Sequence, residues 1–171
     1  MKSIEWLDGG IARIERLIAI ALTAAITLIM MAQVVLRYLF SAPLFWAEEI
    51  SVQLLVFVTL AGVSLLIREG GLVSVDILPA ALSERRRHAL FVLLGLVMLP
   101  LLVFVAYWGW DWISRSEVRI ELGATTQLPR WYNYAALPIA FTAMVVHQFV
   151  AVLRHLRAAG GWEGQDEGNA R

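Results

Sequence analysis

Four stretches of this chain run for the thickness of a bilayer without a single Asp, Glu, Lys or Arg: Leu17–Leu36, Ile50–Ile67, His88–Trp110 and Trp131–Leu153. A hydrocarbon core about 30 Å thick is crossed by roughly 20 helical residues. In lipid every backbone N–H and C=O must be satisfied within the spanning structure, which leaves helices or closed barrels. Barrel strands alternate apolar and polar positions, whereas these runs are apolar throughout. A soluble bundle needs a polar face on each helix, and the runs lack one. The sequence therefore predicts an all-α integral membrane protein with four transmembrane helices in a domain spanning residues 1–156, short interfacial amphipathic segments, and a flexible tail over 157–171. Composition points the same way. The chain is 60% hydrophobic and 16% charged, against about 45–50% and 25% in soluble domains.

The first run outlasts a signal-peptide core of about 7–15 residues and is expected to remain as an anchor. Lys and Arg set orientation. The N-terminal segment, the loop between the second and third spans and the C-terminal tail carry ten of them: Lys2, Arg13, Arg16, Arg68, Arg85, Arg86, Arg87, Arg154, Arg157 and Arg171. The opposite side carries Arg37, Arg115, Arg119 and Arg130. Both termini are thus expected in the cytoplasm, with the protein in a bacterial inner membrane. The Gly-rich tail "RAAGGWEGQDEGNAR" has no apolar periodicity, and such segments do not build a core.

Several functions are argued against by residue type. There is no Cys, so disulfide and thiolate chemistry are absent. Fourteen basic and fourteen acidic residues cancel, leaving no overall field for nucleic acid. Glu48 and Glu49 are adjacent, but successive helix positions point about 100° apart, so they do not converge on one reacting atom and no enzyme is expected. Haem would need two His at one depth; His88 starts the third span at its inner edge, His155 lies beyond the last, and only His147 lies well inside a span, so no cofactor is expected. The spans hold only uncharged polar groups and His147; pathways for coupled ions usually carry ionisable residues. Gln33 with Gln53, and Thr23 with His147, are matched in depth and are expected to hydrogen-bond across helices.

The stretch "RYLFSAPLFWAEEIS", residues 37–51, joins the first two spans. Pro43 suits a first helical turn, Trp46 an interface, and Glu48 and Glu49 the positive end of the second helix. Arg37 closes the first helix, and an Arg37–Glu49 ion pair is expected. Ser83 reads as an N-cap for the third helix, with Arg85–Arg87 on the anionic lipid surface. In the last loop Val118, Ile120 and Leu122 alternate with charged residues, which favours a short extended or surface-lying segment. Trp108, Trp110, Trp112, Trp131, Tyr132 and Tyr134 form an interfacial belt. Pro100 and Pro138 fall inside spans, where each removes a backbone hydrogen bond.

Three groups of residues together resemble the small membrane subunit of tripartite ATP-independent periplasmic (TRAP) transporters, the DctQ-like family. They are Arg37 followed by Pro43, Trp46, Glu48 and Glu49; Ala61-Gly62 followed by Arg68-Glu69-Gly70 and Val75-Asp76; and "TTQLPRWYNYAALPIAF", with Pro129, Trp131, Tyr134 and Pro138. The resemblance implies a non-catalytic scaffold that docks on a large membrane permease subunit. That subunit would carry out sodium-coupled uptake of an organic acid delivered by a periplasmic substrate-binding protein. Arg37, Trp46, Glu49, Gly62, Arg68, Asp76, Pro129 and Trp131 are the residues expected to shape the fold or the interface, with Gly62 permitting close helix approach. The competing reading is a stand-alone membrane protein such as a redox-complex anchor, which would need paired His or Cys.

Overall fold

The computed structural model describes residues 2–70 and 83–160. Within them the chain forms α1 (Lys2–Leu39), α2 (Ala47–Glu69), α3 (Glu84–Ser114), the short α4 (Ser116–Ile120) and α5 (Trp131–Gly160). Four of these, all but α4, are long and apolar enough to cross a membrane. The structure is thus an all-α integral membrane fold.

The helices form a row rather than a closed bundle. α1 packs mainly on α2, α2 also on α5, and α5 on α3, while the α3 backbone stays more than 8 Å, Cα to Cα, from α1 and α2 among the described residues. The core sits where α2, α3 and α5 approach one another, around Ile67, Leu102 and Met144, with Val63, Met98, Phe141 and Val145 against them. Pro100 and Pro138 lie inside continuous helices. The Thr142 hydroxyl bonds back to the Pro138 carbonyl of its own helix at 2.6 Å, and it also accepts from the Trp110 indole of α3 at 3.2 Å.

α1 is the main departure from expectation. Charges at Arg13, Glu15 and Arg16 end the apolar run at Leu17, yet the helix begins at Lys2. Thirty-eight residues rise about 57 Å at 1.5 Å per residue, far beyond a hydrocarbon core. In its first four turns Asp8 and Glu15 share one face and dock on the ends of α2 and α5.

Other expectations need correction. Helix α2 starts at Ala47, with Trp46 at its N-cap position, so Pro43 lies in the connecting loop. That loop is held by Ala42 N–H on the Leu36 carbonyl at 3.0 Å and Leu44 N–H on Gln33 Oε1 at 2.8 Å. Gln33 therefore caps a loop and does not reach Gln53. Thr23 bonds the Ala19 carbonyl of its own helix at 2.8 Å, not His147. The alternating segment forms α4, because only Val118 is buried while Ile120 and Leu122 face outward. Ser83 does occupy the N-cap position of α3 with extended backbone, though its side chain makes no capping bond.

Candidate functional site

Two charged clusters fasten the row, one at each end. The first gathers residues far apart in sequence. Asp8 is fully buried, and its carboxylate accepts three bonds: His147 Nδ1 at 2.6 Å, Arg68 Nε at 2.9 Å and Arg154 Nη2 at 2.8 Å. The other ring nitrogen of His147 lies 3.1 Å from Glu15 Oε2, and Glu15 Oε1 accepts from the buried Ser64 hydroxyl at 2.7 Å. At the cluster's edge the exposed Arg16 reaches Glu69 at 3.5 Å. A buried carboxylate of this kind is tolerable only when paired and hydrogen-bonded. Here both oxygens of Asp8 face donors, one His147 and the other the two guanidinium groups.

The spacing explains the register. Asp8 and Glu15 are seven residues apart on α1, His147 and Arg154 seven apart on α5, and Ser64 and Arg68 four apart on α2. Each pair lies on one helical face, one or two turns apart. The sequence reading missed this cluster because it took the first helix to start at Leu17. The four charge-free runs stand as read, since Asp8, Glu15, Arg68 and Arg154 all lie outside them. Both His147 nitrogens are occupied by carboxylates, so neither is free to ligate haem iron.

The opposite end is built on backbone. Residues Glu121–Arg130 form a tight loop, closed by the Leu122–Pro129 bridge, by Gly123 N–H on the Leu128 carbonyl at 2.8 Å and by Arg130 N–H on the Glu121 carbonyl at 2.8 Å. Glu49, in the first turn of α2, enters this loop. It accepts from the backbone N–H of Thr125 at 2.7 Å and of Thr126 at 3.1 Å, and from both threonine hydroxyls. A β-carbon on Gly123 would collide with the Glu49 carboxylate and the Thr126 hydroxyl, so only glycine allows this approach. The loop is further tied by Arg130 to Glu121 at 3.2 Å and by the Tyr134 hydroxyl to Glu121 at 2.9 Å. Its bond to Glu121 holds the Arg130 guanidinium pKa above the ordinary value.

The expected Arg37–Glu49 pair does not form. Arg37 pairs with Glu48 at 2.7 Å, because adjacent helix positions diverge by about 100° and Glu49 is turned toward the loop. Of the remaining singled-out residues, Arg68 belongs to the Asp8 cluster, Pro129 to the loop bridge, and Trp131 opens α5. Trp46 and Trp131 are both outward-facing. Gly62 does not serve close packing within this chain, since an added β-carbon there would meet nothing within 4 Å. Asp76 lies outside the described residues.

Four membrane-length helices in a row, fastened by one cluster around Asp8 and another around Glu49, define a polytopic membrane protein with no metal-holding group of His, Asp or Glu among the described residues. Comparison with known proteins narrows the class. A family model described as "Tripartite ATP-independent periplasmic transporters, DctQ component" matches residues 26–158, and the chain belongs to that family of small permease subunits. It is 26% identical to the sialic acid TRAP transporter small permease protein SiaQ of Vibrio cholerae, over 90% of this chain and 88% of that one. It is 27% identical to the C4-dicarboxylate TRAP transporter small permease protein DctQ of the same organism, over 81% and 69%. Similarity also extends to the sialic acid TRAP transporter permease protein SiaT of Haemophilus influenzae, 28% identical over 82% of this chain but only 21% of that longer one.

Proposed function

We propose that this chain is a non-catalytic brace for the large membrane permease subunit of a TRAP-type secondary transporter. In this reading the large subunit carries out sodium-coupled uptake of an organic acid handed over by a periplasmic binding protein. The small subunit lies in the bacterial inner membrane with both termini in the cytoplasm. The observation that carries the reading is the match to a segment of SiaT, where the counterpart of this chain makes up about a fifth of a longer permease. Sequences joined in one polypeptide in a relative are expected to adjoin as separate chains. The charge distribution is consistent with a bracing role, because the buried carboxylates are committed to partners within the chain. Association in lipid would draw on packing and hydrogen bonds, as lipid gives no hydrophobic drive between helices. The open β-carbon position of Gly62 and the outward faces of Trp46 and Trp131 are candidate contact points.

Co-purification tests the proposal. Tagged protein extracted in mild detergent should bring down a large multi-span membrane chain. Recovery of this protein alone, from cells that express the permease, would refute the docking role. Uptake by vesicles holding this chain without any partner would refute the non-catalytic one.

A further inference from the structure

α2 and α3 both pack on α5 but not on each other, so at the end of the row that holds the chain termini they wall a lateral cleft with α5 as its floor. The cavity is about 280 Å³ and is lined by Ile67, Phe91, Leu94, Met98 and Val152, with His155 and Glu69 among its polar lining residues. Polar groups gather beside it. His88 of α3 and His155 of α5 face each other with their Nδ1 atoms 3.0 Å apart, and Phe91 stacks on His155 at 5.0 Å. One Nδ1 must donate to the other; the ring that accepts then carries its proton on Nε2, a donor left over for a ligand. Arg87 and Arg154 are charged neighbours of His155. Arg154 is held by Asp8, and Glu69 by Arg16. Arg87 makes no ion pair among the described residues. Among the described charged neighbours of His155, Arg87 is thus the one whose positive charge has no ion-pair partner.

The part of the cleft walled by Leu94, Met98 and Val152 offers water too few polar partners. An acyl chain supplies the dispersion contacts that α2 and α3 do not give each other. Cationic and N–H donor groups at its mouth suit a phosphate. We propose that this cleft holds an anionic phospholipid, with an acyl chain between α2 and α3 and its phosphate at His88, His155 and Arg87.

The test is lipid binding to the full chain, delipidated in a neutral maltoside detergent and read by native mass spectrometry and thermal melting. Dioleoylphosphatidylglycerol should bind and raise the melting temperature, with dioleoylphosphatidylcholine and inorganic phosphate each at least about tenfold weaker. His155→Gln with His88→Gln should reduce the phosphatidylglycerol effect about tenfold while helicity is unchanged. Ala151→Phe, which fills the cleft from α5, should abolish it with the His pair intact. Equal binding of the two lipids would overturn the proposal by removing headgroup recognition. An equal effect of phosphate alone would overturn it in favour of a simple anion site. If Ala151→Phe fails to fold, the double His variant still decides, and full retention of lipid by that variant would overturn the proposal.

Discussion

The two ends of the helix row are both fastened by carboxylates, but the carboxylates are held in opposite ways. Asp8 is sealed from solvent and met by side chains from α2 and α5 that are 60, 139 and 146 residues distant. Glu49 sits near the surface and is met by two backbone N–H groups and two threonine hydroxyls of one short loop. Side-chain clusters of the first kind lock helices together and fail as a unit when one member is lost. A backbone cradle of the second kind fixes a loop and leaves the helix packing to stand without it. The first should therefore govern whether the row exists, and the second what shape it presents at one rim.

Substitutions at each end separate these roles. Asp8→Asn should have the largest effect, because it leaves two guanidinium groups and His147 without their shared anion. Breaking a buried pair from one side costs about 3–5 kcal/mol, read as loss of thermal stability in detergent. Stability equal to that of the native chain would mean the cluster does not hold α1. Next, Glu49→Gln should leave helicity and melting nearly intact while freeing the loop. As the chain has no Cys, a single Ala124→Cys probe reports on this directly. Its labelling rate should rise on the order of tenfold in the Glu49→Gln background, and not in an Asp8→Asn one.

Gly123→Ala should raise the same labelling rate to a similar or smaller extent, since the methyl group pushes against the Glu49 carboxylate rather than removing it. Unchanged labelling there would contradict the close approach described for that loop. The smallest change belongs to Arg37→Gln. Its pair with Glu48 is exposed on both sides, and such pairs contribute about 0–1 kcal/mol. Melting should shift little, and 1 M salt, with a screening length of about 3 Å, should erase the remaining difference.

How much of this was legible in the sequence differs between the two ends. Charge-free runs revealed four spans, and the helix-end positions of Arg37 and Glu49 marked both as structural. They did not reveal which glutamate faces Arg37, because that depends on the rotation of α2 about its axis. Nor did alternation in the last loop distinguish a strand from the short helix around Val118. The Asp8 cluster stayed hidden because hydropathy weighs charges against a span, so Arg13, Glu15 and Arg16 truncated α1 by four turns. The matching seven-residue spacings, Asp8 with Glu15 and His147 with Arg154, were present in the text of the chain. Their meaning required knowing that α1 and α5 end side by side.

The row arrangement has a further consequence. Four rods standing in file, with α3 beside α5 alone among the long helices and α1 beside α2 and one end of α5, surround no lumen among the described residues. Under the proposed bracing role, a solute would pass along its flank, through a passage whose other walls belong to the permease subunit.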